Sequence, residues 1–159
     1  QGNPGIYGVV ETAPAIGVVP LDDELCTWLV GQFRYAIGRF TWEIPEGGGR
    51  PGEAVEDGAR RELREETGLR AARLTPLGTM QTSNCFTDEI AHLFLAEQLT
   101  PGGSDPDPTE ELEVRRLPFA EACEMAGNGE IQDAMSIVAL YRAEAVLRER
   151  RLEADDSRT

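Results

Sequence analysis

The sequence predicts an α+β fold, a single α/β/α sandwich domain. Three observations carry that prediction. Strand-like segments crowd the N-terminal third, one charged helix stands in the middle, and helices close the chain. At 159 residues, 40% of them hydrophobic, the chain is long enough to bury one core. It shows neither repeats nor an internal linker.

Residues 6–11, 14–20 and 25–33 are rich in Val, Ile and aromatic residues and read as strands. Leu21-Asp22-Asp23-Glu24 reads as a hairpin-like turn between the second and third of these. Residues 41–44 form a short strand stopped by Pro45, and Glu46 to Gly52 is a loop by composition. From Glu53 to Thr67 the run of Ala, Glu, Arg and Leu predicts a helix, with Gly68 as its stop. Strands follow at 73–80 and 90–97, then a turn-rich acidic loop at 101–109 and a short strand at 112–117. Pro118 and Phe119 open a helix that runs to Ala126. A last helix spans Ile131 to Arg150, with Ile131, Met135, Val138 and Tyr141 as its apolar stripe. The domain is therefore expected over residues 1–152, with 153–159 as a polar tail.

Composition excludes several chemistries. The net charge is -14, from 29 acidic and 15 basic residues, and every basic residue is Arg. Without Lys there is no P-loop lysine, Schiff base or lysine general base. His92 is the one histidine, so a two-histidine zinc helix is impossible. Cys26, Cys85 and Cys123 are too far apart for a metal clamp and fit a reducing, cytoplasmic setting. The negative surplus argues against nucleic acid as a partner. No apolar run is long enough for a membrane span, and no signal peptide is visible, although the chain begins at Gln1 rather than Met. A carboxylate-rich, histidine-poor enzyme suits a hard cation, Mg²⁺ first and Mn²⁺ as an alternative.

The segment from Gly47 to Leu69 carries the chemistry. On a helix Glu62, Glu65 and Glu66 share one face. They lie in the last turn, where the helix dipole disfavours anions. Two local penalties on one patch suggest a site that accepts a stability cost for function. Taken alone, the acidic pair also fits a solvated mixed-charge helix, and the glycine loop a plain turn. The full spacing decides between these readings. Gly47, Glu53 and Arg61-Glu62-Leu63-Arg64-Glu65-Glu66-Thr67-Gly68-Leu69 match every fixed position of G-x5-E-x7-R-E-U-x-E-E-x-G-U, U being aliphatic.

The chain thus resembles the Nudix family. The resemblance implies the Nudix fold, a mixed sheet between helices. It also implies hydrolysis of a nucleoside diphosphate linked to another moiety. By resemblance Glu62 and Glu66 are the principal metal ligands, Glu65 ligates or bridges, Glu53 supports, and Arg61 orients Glu65.

Further segments are similar to the ADP-ribose pyrophosphatase branch of that family. Gln32-Phe33-Arg34 and Glu43-Ile44-Pro45-Glu46-Gly47 resemble its Q-x-R and E-x-P-A-G motifs. There the Arg, here Arg34, contacts substrate phosphate. The residue before the box glycine, here Glu46 in place of Ala, lends its carbonyl to metal. Glu43 is expected in the substrate site, paired with an Arg or ordering the loop. Thr82 to Glu89 resembles S-P-G-F-T-D-E, with Asn84-Cys85 replacing Pro-Gly. This departure bears on ADP-ribose selectivity. His92 reads as a structural or rim residue. In Thr109-Glu110-Glu111-Leu112 the branch implies a Glu that orients or deprotonates water; alignment favours Glu110, with Glu111 second and substrate-facing. Gly129 to Ala139 resembles the branch's G-K-I-x-x-A-x-S-x-x-A helix start. The implied reaction is conversion of ADP-ribose to AMP and ribose 5-phosphate, with Glu65 and Glu66 in the catalytic group. NDP-sugars or dinucleoside polyphosphates are alternative substrates, and a non-catalytic nucleotide-binding module is the alternative class. The branch also implies a homodimer, often built with extra N-terminal strands.

Overall fold

The computed structural model describes residues 2, 4–103 and 112–157. Among the described residues seven strands form two sheets. They are β1 (Ala15–Pro20), β2 (Cys26–Arg34), β3 (Arg39–Glu43), β4 (Glu46–Gly48), β5 (Leu69–Gln81), β6 (Ile90–Pro101) and β7 (Glu113–Pro118). The first sheet has the order β4-β1-β6-β5, and the second β3-β2-β7. β1 runs parallel to β6 and antiparallel to β4, so the larger sheet is mixed. The helices are α1 (Val55–Thr67), α2 (Phe119–Asn128) and α3 (Ala134–Asp156).

Alternation along the inner strands builds the layers. Ile16 and Val18 of β1, with Phe94 and Ala96 of β6, face Ala59 and Leu63 of α1. Val19, Leu93 and Leu95 face the other way. There they join Met135, Ala139 and Leu140 of α3, together with Leu29, Leu117 and Ala122 of the second sheet and α2. β1 is buried on both faces, which explains its unbroken apolar sequence.

α1 begins without a side-chain cap but carries Glu56 and Asp57 in its first turn. It ends where Gly68 turns left-handed (φ 70°) and returns its N–H to the Arg64 carbonyl. α3 is capped by Asp133, which accepts from the Ser136 N–H at 2.6 Å. Ser136 is fully buried, and its Oγ in turn accepts the Ile44 N–H at 2.9 Å. That bond ties α3 to the chain leaving β3. β5 is an edge strand. Arg142 of α3 donates to its Leu77 and Thr79 carbonyls, and Arg60 of α1 to its Ala71 carbonyl.

Several expectations need correction. Residues 6–11 form no strand: only Val10 pairs, in a single bridge to Thr87, and Ile6 and Tyr7 are exposed. Their composition suits a pleated surface, but among the described residues no strand pairs with them. The turn at 21–24 is not a hairpin, because β1 and β2 belong to different sheets. β4 lies inside the glycine-rich stretch read as loop. β5 and β6 are longer than expected, and α3 continues past Arg150 to Asp156. The α3 stripe is shifted in phase. Met135, Ser136, Ala139, Leu140 and Ala143 are buried, Ile131 precedes the helix, and Tyr141 is 44% exposed.

Ser136→Ala would leave a buried N–H without its acceptor, which costs about 1–3 kcal/mol. Urea unfolding should show a lower midpoint at unchanged slope. An unchanged midpoint would remove this bond from the account of how α3 is fixed.

Candidate active site

The site forms where β4 meets α1. Arg61 stands at its centre. Its Nε donates to Glu53 Oε1 at 2.9 Å, Nη1 to Glu62 Oε1 at 2.6 Å and to Glu65 Oε2 at 3.0 Å. Its Nη2 reaches both Glu53 Oε2 and the Gly48 carbonyl at 2.9 Å. Glu53, just ahead of the helix, also accepts the Arg50 N–H at 3.1 Å. These hydrogen bonds, Arg61's above all, depress the Glu53 carboxyl from its ordinary 4.5 to about 2.

Glu62 and Glu66 are only 7% and 9% exposed. Burial pushes the Glu62 carboxyl up, and Arg61 partly offsets that. The Glu66 Oε2 accepts the Glu46 N–H at 2.9 Å, which fixes β4 against the helix. Glu65 is held by Arg61 and, at 3.4 Å, by Arg50. Glu62, Glu65 and Glu66 line one cavity of about 230 Å³ with Gly48, Arg50, Arg61 and Leu112. Gly47 is required beside it: a Cβ there would fall 2.4 Å from the Glu62 carboxyl carbon.

The residues present fit a divalent cation. Glu53, Glu62 and Glu65 share the Arg61 guanidinium, and buried Glu66 adds a further negative charge beside them. The glycine backbone keeps the carboxylate face clear of side chains, and oxygen donors suit a hard ion. Another donor group, Asp22, Glu24 and Cys26, lies in the turn between β1 and β2. Arg116 already bridges its two carboxylates, at 2.6 Å from both Asp22 and Glu24, which offsets half of their charge and ties the turn to β7.

A larger cavity, about 650 Å³, is lined by Glu46, Gly47 and Gly48 of β4 and shares Gly48 with the smaller one. That volume suits a small-molecule ligand. Arg34 enters it from the end of β2. It is paired with Glu43 and, at 3.2 Å, with Glu46. Glu43 is buried, and its carboxylate is taken up by Arg34 and by the Thr41 hydroxyl at 2.6 Å. The Glu46 side chain thus shares Arg34 with Glu43. Its other oxygen, Oε2, is buried with no partner among the described residues. Burial, then Asp133 and Glu43, push the Glu46 carboxyl well above its usual range.

The expected site residues therefore fall into two groups. Glu62, Glu65 and Glu66 line the smaller cavity; Arg34, Glu43 and Glu46 line the larger. Glu110 and Glu111 lie outside the described residues. Sequence reasoning missed Arg39, Thr41, Thr82, Glu89, Gln132 and Asp133, which also line the larger cavity. Arg39 is hydrogen-bonded to Gln132, joining β3 to the start of α3. The resemblance of 129–139 to a branch helix start was the available signal. Asn84 and Cys85 are absent from the lining, although Thr82 and Glu89 flank them. His92 sits on β6, in register with Ile16 and Thr79, away from both cavities.

Mixed sheet, flanking helices and a carboxylate helix behind a glycine strand define one class of protein. A family model described as the NUDIX domain matches residues 11–139, and the chain belongs to the Nudix family. That family generally uses a divalent metal. Among relatives, the chain is similar to the ADP-ribose pyrophosphatase of Bacillus subtilis, 37% identical over 134 residues (83% of this chain, 72% of that one). It is similar as well to the ADP-ribose pyrophosphatase of Mycobacterium tuberculosis, 34% identical over 144 residues (87% and 68%). A crystal structure of an ADP compounds hydrolase superposes with a TM-score of 0.78 at 25% identity, covering 88% of this chain and 74% of that one. Among the described residues no helix is long and apolar enough to cross a membrane.

The depressed Glu53 carboxyl has a consequence for acid stability. Its stabilisation is complete above its unfolded value of 4.5 and is lost as pH falls through about 2. Glu53→Gln should lower stability at neutral pH and flatten its decline over that window. A pH series of urea midpoints that is parallel for both proteins would refute the assignment.

Proposed function

We propose that this protein is a metal-dependent pyrophosphohydrolase that cleaves ADP-ribose to AMP and ribose 5-phosphate. The observation that carries the reading is the set Glu62, Glu65 and Glu66 lining one cavity, the first two held by Arg61 and the third by the Glu46 N–H, with Arg34 lining the larger cavity that shares Gly48 with it. The two ADP-ribose pyrophosphatases similar to this chain support the choice of substrate. Mg²⁺ is the proposed ion, with Mn²⁺ as a substitute. Glu62, Glu65, Glu66 and the Glu46 carbonyl would hold it. A divalent cation there supplies Lewis-acid charge to the diphosphate.

The chain's own groups divide the remaining work. Arg34, preset by Glu43 and Glu46, binds phosphate oxygens and offsets charge that grows as water attacks phosphorus. Glu110 accepts the proton of that water, with Glu111 as the alternative base. The cleaved P–O bond leaves AMP and ribose 5-phosphate. A homodimer in the cytoplasm is the proposed setting. Exposed Phe33, Tyr35, Ile37 and Phe40 at the β2–β3 hairpin support self-association.

Glu66→Gln should lower kcat at least about 100-fold at saturating Mg²⁺; near wild-type turnover would sink the metal assignment. Glu110→Gln should cost roughly 100-fold or more, and Glu111→Gln much less; the reverse order would exchange their roles. In a substrate panel with product identification, ADP-ribose should be turned over faster than UDP-glucose. Rapid UDP-glucose cleavage with ADP-ribose untouched would replace the proposed substrate. Binding of ADP-ribose without metal-dependent AMP release would make the protein a sensor instead.

A further inference from the structure

Outside the carboxylate site, three arginines gather where the proposed reaction does not use them. α1 and the start of β5 enclose a cleft of about 330 Å³, lined by Asp57, Arg60, Arg61, Arg64, Arg70 and Ala71. Arg61 is fully engaged by Glu53, Glu62, Glu65 and the Gly48 carbonyl. The others are not. Among the described residues Arg60 and Arg70 make no ion pair, and Arg64 comes no nearer to a carboxylate than Glu65 at 4.0 Å. The Arg64 Nε is buried with no acceptor among the described residues. A buried donor of this kind is costly unless something accepts from it. Asp57, the one acid in the lining, makes no ion pair among the described residues and cannot balance three guanidinium groups.

The donors are also held in place. Arg60 gives one Nη1–H to the Ala71 carbonyl and keeps its others. The Arg70 stem lies against the Gly102 backbone so closely that a Cβ at Gly102 would fall 2.6 Å from its Cγ. In a chain of net charge -14, three guanidinium groups that, among the described residues, are at most weakly paired line one cleft and form a local field opposite to that of the whole molecule. Guanidinium forks match tetrahedral oxyanions. The cleft is about half the size of the cavity that Arg34 enters, which suits a phosphate group rather than a whole dinucleotide.

We propose that this cleft is a second anion site, in which Arg60, Arg64 and Arg70 bind the dianion of a phosphate or phosphate monoester. The inference does not depend on the hydrolytic reading: Arg60 and Arg64, four apart on α1, share a face different from that of Glu62 and Glu66, and Arg61 borders both cavities. Its ligand could be inorganic phosphate or a phosphomonoester such as a nucleoside monophosphate.

The test is calorimetric titration of the full chain, stripped of divalent metal, with inorganic phosphate and then with AMP and ribose 5-phosphate. Nε–H NMR signals would be followed in parallel. One saturable site is expected, with shifts at Arg64 and Arg70. Arg64→Gln and Arg70→Gln should each weaken binding at least about 10-fold, while Arg115→Gln, remote and paired with Glu121, should not. Arg34→Gln should leave this binding intact. Tighter AMP than phosphate binding assigns the site to the monoester, and equal affinity assigns it to phosphate. The proposal is overturned if wild type shows no saturable binding. It is equally overturned if Arg64→Gln and Arg70→Gln, with melting temperatures showing them folded, bind like wild type, or if Arg34→Gln alone abolishes binding.

Discussion

One guanidinium organises this molecule. Arg61 joins the helix to the loop that precedes it, through Glu53, and to strand β4, through the Gly48 carbonyl. It also sets the directions of Glu62 and Glu65. Charge-assisted bonds of this kind are short and directional. Their combined effect is to make loop, helix and strand one rigid unit. The larger sheet then holds that unit from behind, because Ala59 and Leu63 pack on Ile16 and Val18. A cluster of like charges persists because one cation is shared among several of its members. The arrangement leaves the carboxylates oriented but still net negative, which is the condition for recruiting a metal.

The same logic recurs, less completely, at Arg34. Here Glu43 and Glu46 share the guanidinium, and one Glu46 oxygen is left buried with no partner among the described residues. Satisfied polar networks rigidify a site, and an unsatisfied member stores cost. The Ala-to-Glu departure noted in the sequence therefore has a structural meaning. It adds a second carboxylate behind the arginine that faces the larger cavity.

Local pattern made the box legible. Helix α1, its Gly68 stop and the shared face of Glu62, Glu65 and Glu66 all follow from spacing within one short segment. β1 was legible for a similar reason, since a continuous apolar run demands burial on both faces. The misreadings were of things decided at a distance. Ile6, Tyr7, Val9 and Val10 have strand composition, yet a strand also needs a neighbour, and composition does not report one. The 21–24 turn looked like a hairpin because β1's partners, β4 and β6, both lie far along the chain (Ile16 beside Gly47 and His92). β4 was hidden because Glu46-Gly47-Gly48 has no strand propensity and is a strand only through its pairing with β1. Gln132, Asp133 and Thr82 reach the larger cavity through packing around the start of α3 and the end of β5; local resemblance pointed to these segments but not to the side chains that face the cavity.

The arginines on β5 have a further consequence. A thirteen-residue edge strand offers an open row of backbone groups to any other extended chain. Arg142 occupies the Leu77 and Thr79 carbonyls, and Arg60 the Ala71 carbonyl, while Pro76 withholds a donor between them. An approaching strand would have to displace bound guanidinium groups and forgo one hydrogen bond. The fold thereby guards its longest exposed edge against polymerisation, using the same residue type that organises its interior chemistry.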